Sequence, residues 1–201
     1  MFVIRLAALV TGSISFYLIV IGVSIPYWIY IGDKERLVPS FYSNVTFARN
    51  LGFWEYCEIT ELDGVLHSEC RQIYGNRSDM TNASAAMMLI GMLMMAGSVV
   101  VCVTSILCMK ENKLLPIIGG VCSLFAGLCM LIGVALYGHE YREEIFQYGP
   151  SFYMAIVATT FALVSGNIQI ASRTFFYQTR YGLSTGFELV ATLTTSSRWS
   201  A

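Results

Sequence analysis

Four long segments without a charged side chain constrain the fold more than any other feature of this sequence. They are residues 6–30, 83–109, 114–137 and 151–172, and none contains Asp, Glu, Lys, Arg or His. An α-helix needs about 20 apolar residues to cross roughly 30 Å of hydrocarbon. We therefore predict an all-α transmembrane four-helix bundle with helices over these ranges. The first segment exceeds the core of about 7–15 residues in a signal peptide, so we expect it to remain as a helix.

Composition agrees with a membrane protein. Only 12% of the residues are charged and 56% are hydrophobic, whereas soluble domains contain roughly 25% charged residues. The predicted helices leave two loops on one side of the membrane, residues 31–82 and 138–150. Residues 173–201 are rich in Ser and Thr and are expected to form a flexible tail.

Charge asymmetry predicts the orientation of the bundle. The N-terminus, the connection between the second and third helices and the tail carry six basic and two acidic side chains, whereas the first and third loops carry six basic and eleven acidic ones. Lys and Arg concentrate in cytoplasmic loops, and the short connection with Lys110 and Lys113 discriminates best. We expect a plasma-membrane protein with both termini in the cytoplasm and residues 31–82 and 138–150 outside the cell.

The segment between two cysteines of the first loop predicts a β-hairpin. Asp63-Gly64 is typical of a two-residue turn, and Cys57 and Cys70 lie six residues before and six residues after it. Pairing outward from Leu62 and Val65 brings the two cysteines together at a non-hydrogen-bonded position, where Cα atoms are close enough for a disulfide. We therefore predict a disulfide-clamped hairpin in a small extracellular antiparallel β-sheet formed mainly by the first loop, in an oxidising compartment.

The same pairing aligns like charges. Glu58 faces Glu69, which is unfavourable unless a cation or solvent screens the two carboxylates. One hypothesis is a carboxylate pair that contacts cations, and the default hypothesis is a solvated charged face. On the same side of the hairpin, Tyr56 faces Arg71 as a candidate cation–π pair.

Several residues are candidates for covalent modification. Sequons in the first loop begin at Asn44, Asn76 and Asn82; we expect glycans on Asn44 and Asn76, and we expect Asn82 to lie too near the membrane. Cysteines within the helices are expected to be buried free thiols. Cys108, at the predicted cytoplasmic edge, is a palmitoylation candidate.

Three features of the helices bear on packing. Five Met side chains in the second helix favour adaptable packing over a copper-binding path. In the third helix, Gly119, Ser123 and Gly127 recur every four residues, a spacing that allows close helix contact in lipid; we expect a partner within the bundle, with a second subunit as the alternative. In the fourth helix, Asn167 and Gln169 are expected to hydrogen-bond within the bundle.

These features together resemble the superfamily of claudins, peripheral myelin protein, epithelial membrane proteins and lens fibre membrane protein, which includes the calcium-channel gamma subunits. The resemblance is carried by Trp28, by residues 52–54 (Gly-Phe-Trp), and by Cys57 with Cys70, because the family pattern is Trp, then Gly-Leu-Trp, then two Cys. Phe53 stands where the family usually has Leu. The resemblance implies an extracellular sheet standing on the bundle, with Trp28 and Trp54 packed at its base.

The sequence does not match one subfamily in all its features. The twelve residues between the two cysteines exceed the spacing usual in claudins, and the sequence Arg198-Trp199-Ser200-Ala201 differs from the scaffold-binding ending of claudins. Residues 148–153 are similar to the start of the last helix in gamma subunits.

The chemistry of the sequence argues against an enzyme. The chain has two His, no metal-ligand spacing and no nucleophile motif, so we expect no catalysis, no cofactor and no nucleic-acid partner. The resemblance implies three alternative functions, all with the lipid bilayer as a partner. The first is a claudin-like adhesion protein of cell–cell junctions that contacts itself in cis and in trans and shapes paracellular permeability. The others are an auxiliary subunit of an ion channel or receptor, and a membrane-organising protein of the myelin or lens type.

In claudins, acidic residues near the cysteine pair set the charge preference of paracellular transport. Glu58 and Glu69 lie in that part of the loop. The resemblance therefore makes them candidates for charge selectivity or cation contact.

Overall fold

Four helices account for the uncharged segments. The structure, a computed structural model, describes residues 2–32, 46–62, 65–73, 78–107, 114–142 and 147–172. Helix α1 spans Phe2–Ser24, α2 spans Asp79–Leu107, α3 spans Leu115–Glu140 and α4 spans Pro150–Ser172. Each is long and apolar enough to cross a membrane. The predicted four-helix transmembrane bundle is therefore confirmed.

The ends of the helices differ from the ends of the uncharged segments. Helix α1 stops at Ser24, six residues before Tyr30, because Pro26 lacks a backbone N–H and disfavours helical geometry in the residue before it. Helix α2 begins four residues earlier than predicted, where the Ser78 hydroxyl accepts a hydrogen bond from the Thr81 N–H over 3.2 Å. Helix α3 continues to Glu140, into the loop predicted over residues 138–150.

A five-stranded antiparallel sheet lies at one end of the bundle. Its strands are β1 Ile29–Gly32, β2 Thr46–Leu51, β3 Glu55–Leu62, β4 Val65–Gln72 and β5 Gln147–Tyr148, in the order β4-β3-β2-β1-β5. The first loop, residues 31–82, supplies β2, β3 and β4 completely and the second half of β1, so the sheet is formed mainly by this loop, as predicted. Strand β5 comes from the other loop and pairs with β1, a contribution that the sequence did not indicate.

Buried serine hydroxyls connect the helices to one another. Each donates a hydrogen bond of 2.7–2.9 Å to a backbone carbonyl of a neighbouring helix, in the pairs Ser15–Ala158, Ser84–Gly133, Ser98–Gly119, Ser123–Ala162 and Ser165–Ala8. These bonds join α1 to α4, α2 to α3 and α3 to α4. Hydrocarbon offers no water to a buried hydroxyl, so a carbonyl of the next helix satisfies it.

The small-residue stripe of α3 packs inside the bundle. A Cβ atom at Gly127 would lie 2.7 Å from Leu163 of α4, and one at Gly119 would overlap the side chain of Gln169. Between them, the Ser123 hydroxyl bonds to α4. The partner of this stripe is therefore α4 of the same chain, as expected.

The position of each Met or amide side chain around its helix axis decides whether that side chain is buried. Met88 and Met95 of α2 are fully buried in the core, as the packing interpretation predicts. Gln169 is buried, and its amide donates to the hydroxyls of Ser98 and Ser165 over 3.3 and 3.4 Å. Asn167 also hydrogen-bonds within the bundle, but only to its own helix: the side chain faces outward and donates to the Leu163 carbonyl. Two residues apart on a helix span about 200°, so only one of the two amides can face the core.

Candidate interaction site on the sheet

The disulfide-clamped hairpin has the predicted register. Leu62 pairs with Val65, and Cys57 pairs with Cys70 through a disulfide with a Cα–Cα distance of 4.0 Å. The Ile73 N–H donates to the Trp54 carbonyl over 3.0 Å, which makes that pair a hydrogen-bonded one. Pairs alternate from there, so the cysteines occupy a non-hydrogen-bonded position, as predicted. The turn residues 63–64 lie outside the described part of the chain.

Two guanidinium groups neutralise the facing carboxylates on this hairpin. Glu58 pairs with Glu69 across the strands. Arg49 of β2 forms an ion pair with Glu58, and Arg71 forms one with Glu69 over 3.0 Å. Because arginines of the same sheet already screen both carboxylates, any external cation has to compete with them, which fits the default hypothesis of a solvated charged face.

The aromatic ring of Tyr56 is contacted by a different cation from the one predicted. The guanidinium carbon of Arg49 lies 4.9 Å from the centre of the ring. Arg71 is the cross-strand neighbour of Tyr56, but its guanidinium bonds to Glu69, which raises the pKa of Arg71. Strand β2 supplies the nearer cation because Arg49 sits opposite Glu58, beside the tyrosine.

An aromatic joint connects the sheet to the bundle. We define the joint as Trp28, Phe53, Tyr137 and Phe152, which come from four separate segments. The first three are fully buried and Phe152 nearly so. The ring of Trp28 lies 4.4 Å from Phe53, 5.0 Å from Tyr137 and 6.1 Å from Phe152, centre to centre, in edge-on or tilted arrangements. Such pairs are favourable beyond the area they bury, so the joint fixes the sheet on the helices.

Backbone hydrogen bonds reinforce the joint around Trp28. Its N–H donates to Leu51 of β2 over 3.0 Å, and its carbonyl accepts from Gly149 over 2.8 Å. Its indole N–H donates to the Gly22 carbonyl at the end of α1 over 2.7 Å. Trp28 is thereby bonded to the first helix, the sheet and the start of α4.

Two glycines allow these segments to approach one another. A Cβ atom at Gly52 would lie 2.5 Å from the Cα atom of Pro26, and one at Gly149 would overlap the carbonyl of Tyr27. Both contacts are with backbone atoms, which cannot rotate away as a side chain can. Gly52 is therefore part of the sequence motif for a steric reason.

The clamped hairpin, the Trp28 joint and the four spans occur together in one known family. The sequence profile of the PMP-22/EMP/MP20/Claudin family matches residues 1–169. The chain belongs to this family. The match includes the whole sheet and all but the last turn of α4. This is a family of multi-pass membrane proteins without enzymatic activity. A comparison with individual curated proteins gave no significant match.

The structure of this claudin-family chain corrects the expected role of Trp54. The resemblance placed both Trp28 and Trp54 at the base of the sheet, but Trp54 is 39% exposed and Phe53 is fully buried. The two residues lie in a bend between β2 and β3, where the Gly52 N–H donates to the Glu55 carbonyl over 3.0 Å. This bend turns the Phe53 ring into the joint and leaves Trp54 at the surface. The large ring of Phe53, in place of the usual Leu, is the residue that packs on Trp28.

Other candidate residues lie apart from the joint or outside the described ranges. Asn44, Asn76 and Cys108 are among the residues that the structure does not describe. Asn82 is exposed on the first turns of α2, while Ser84 of the same sequon is buried and bonded to Gly133. Cys102 and Cys129 are buried free thiols, as expected, and Cys122 is half-buried. In the described ranges, no group of three or more His, Cys, Asp or Glu side chains is arranged to hold a metal ion.

Proposed function

We propose that this claudin-family protein is a structural and adhesion protein of cell–cell contacts in the plasma membrane. The observation that carries the proposal is the aromatic joint with its hydrogen bonds, which holds a disulfide-clamped sheet in one position on the bundle. A surface with a fixed orientation on the membrane can contact a neighbouring molecule without first paying the entropy of ordering. The chain is proposed to act without catalysis or a cofactor.

The orientation proposed here places the sheet outside the cell and both termini in the cytoplasm. The Arg5 guanidinium donates to the Ser105 carbonyl over 3.2 Å, so the N-terminus lies beside the end of α2, at the end of the bundle opposite the sheet. Lys110 and Lys113 follow α2 directly in the sequence. The short connection that contains both lysines favours the cytoplasm for this end of the bundle, and the disulfide in the sheet favours an oxidising compartment for the other end.

The contact surface proposed on the sheet is the charged face near its free edge. Strand β4 is an edge of the sheet, and residues 67–72 are all exposed. Glu69 and Arg71 project from the same face of β4, and Glu58 of β3 is the cross-strand neighbour of Glu69 on that face. A partner that meets this face, or an ion that passes it, encounters alternating charge, which is the basis for proposing a role in paracellular permeability.

The experiment that tests this proposal is localisation of a tagged full-length chain in contacting cells. Pairs in which one cell or both cells express the chain are compared. We expect enrichment at borders only where both cells express it, because contact in trans requires the sheet on each side. Uniform surface label in both kinds of pair would contradict adhesion. It would favour an auxiliary subunit, which should copurify with a channel or receptor, or a membrane-organising protein.

A matched pair of variants locates the contact on the sheet. Arg71→Gln and Gln72→Glu each change the net charge by −1, but the two residues project from opposite faces of β4. We expect Arg71→Gln to reduce border enrichment and Gln72→Glu to leave it unchanged. The reverse result would place the contact on the other face.

A further inference from the structure

The outward face of α4 carries polar as well as apolar side chains. Its exposed residues include Tyr153, Val157, Thr160, Val164 and Asn167, which we call the α4 seam. Their spacing alternates between four and three residues, which is the heptad spacing of a helix that packs along its length against another. The seam is unpartnered within the described part of the chain.

The α4 seam is more polar than the outward face of α3. The outward face of α3 carries Ile118, Val121, Phe125 and Leu128 at exposed positions. The α4 seam instead carries two hydroxyls and an amide, and α4 has the lowest hydropathy of the four spans. Polar side chains within a span generally face another helix rather than lipid.

Asn167 has hydrogen-bonding capacity that its own helix does not use. Its amide donates one N–H to the Leu163 carbonyl over 2.8 Å. The other N–H and the carbonyl oxygen have no partner among the described residues. Thr160, by contrast, bonds back to carbonyls of its own helix. Asn167 lies five residues before Ser172, about 7.5 Å inside the end of the span, where an unsatisfied amide is costly.

The partner that fits this face is a second copy of the chain. Two copies in one membrane share the same topology, so a two-fold axis relating them runs along the membrane normal. Their α4 helices are then parallel, and each seam residue meets the same residue at the same depth. An amide both donates and accepts, so Asn167 of each copy can satisfy Asn167 of the other. The β-branched Val157 and Val164 suit a two-stranded parallel contact.

We propose that α4 forms a parallel dimer with α4 of a second copy, closed by reciprocal hydrogen bonds between the two Asn167 amides. This lateral contact lies within one membrane. The family resemblance implies self-contact in cis, and the proposal adds the helix and the residue that form it. It does not depend on contact between cells, so the two proposals can fail separately.

Energy transfer between labelled copies in liposomes tests the proposal. Full-length protein labelled with donor or acceptor is reconstituted at increasing dilution in lipid, with random colocalisation as the baseline. We expect transfer above this baseline for the wild type, and a roughly five- to tenfold lower association constant for Asn167→Leu, since two interhelical hydrogen bonds are lost. Asn167→Gln, which keeps the amide, should retain most of the association.

The control substitution lies at the same depth on another face. Ser123 of α3 bonds to Ala162 of α4, and the helices are antiparallel, so Ile118 lies about level with Asn167. Ile118→Ala should leave energy transfer unchanged. Baseline transfer for the wild type, or wild-type transfer for Asn167→Leu, would overturn the proposal.

Oxidative crosslinking gives a second measurement that does not depend on the amide. Val164→Cys should form a disulfide-linked dimer in membranes, because equal residues meet across the axis. Leu128→Cys on α3 should not, and the wild type serves as the blank for the native cysteines. Crosslinking of Leu128→Cys in preference to Val164→Cys would place the contact on α3 and overturn the proposal.

Discussion

Two adjacent aromatic residues of the family motif should respond very differently to truncation. Phe53 is fully buried, and its ring lies 4.4 Å from Trp28 and 4.9 Å from Tyr137. Truncation of a buried Phe to Ala costs about 3–5 kcal/mol. Trp54 is 39% exposed, so Trp54→Ala removes only part of a buried surface and should cost about 1–2 kcal/mol. The order is the reverse of what the family resemblance implies for the two positions.

Hydrogen exchange can measure this difference at the joint itself. The amide of Trp28 and those of β1 and β2 are protected as long as the sheet stays on the bundle, and their exchange reports the free energy of local opening. Each 1.4 kcal/mol corresponds to about a tenfold change in the opening equilibrium. Phe53→Ala should therefore accelerate exchange in β1 and β2 by about 100-fold or more, and Trp54→Ala by about 5- to 30-fold. Amides of the clamped β3–β4 hairpin should change less.

A third variant separates ring size from burial. Phe53→Leu introduces the residue usual in the family and keeps an apolar side chain of similar volume, so it should cost less than about 1.5 kcal/mol. If Trp54→Ala opens the joint as much as Phe53→Ala does, the assignment of Phe53 to the joint is refuted. Trp54 would then pack at the base of the sheet.

Three further predictions concern the clamp, the close approaches and the helix contacts. Cys57→Ser or Cys70→Ser should cost about 2–5 kcal/mol and reduce surface delivery, measured by surface biotinylation; normal delivery of both variants would contradict this. Gly149→Ala forces its Cβ onto a backbone carbonyl and should cost about 1–3 kcal/mol, seen as a lower melting temperature in detergent. Gly97→Ala, which meets nothing within 4 Å, is the control and should not lower it. Ser123→Ala removes one interhelical hydrogen bond and should cost only about 0.6 kcal/mol; a loss above about 2 kcal/mol would mean that packing changes as well.

The hairpin was predictable from the sequence because its geometry is local. A two-residue turn fixes which residues face each other, and that pairing extends without interruption from Leu62 and Val65 to Glu55 and Gln72. The ion-pair partner of each charged side chain was not predictable in the same way. Arg49 reaches Glu58 from a third strand, and the sequence does not indicate which strand lies beside β3.

The aromatic joint was beyond sequence reasoning because it is assembled from distant segments. Trp28 lies between α1 and β1, and Phe53 lies between β2 and β3. Tyr137 is in the last turn of α3, and Phe152 is in the first turn of α4. The end of α1 could have been found, since Pro26 is visible in the sequence. An uncharged segment indicates solubility in hydrocarbon and does not by itself indicate a helix, and here its last residues form β1.

The two amides near the end of α4 show how helical geometry limits what a polar residue can do in a membrane. Ser165 and Gln169 are four residues apart, so they share the inward face and bond to each other. Asn167 lies midway between them and must point the opposite way. The sequence alone therefore contained the evidence that one polar residue leaves the bundle. A polar group on the outside of a span is stable only if something else satisfies it, so the arrangement that completes the core of one copy also leaves a site for another.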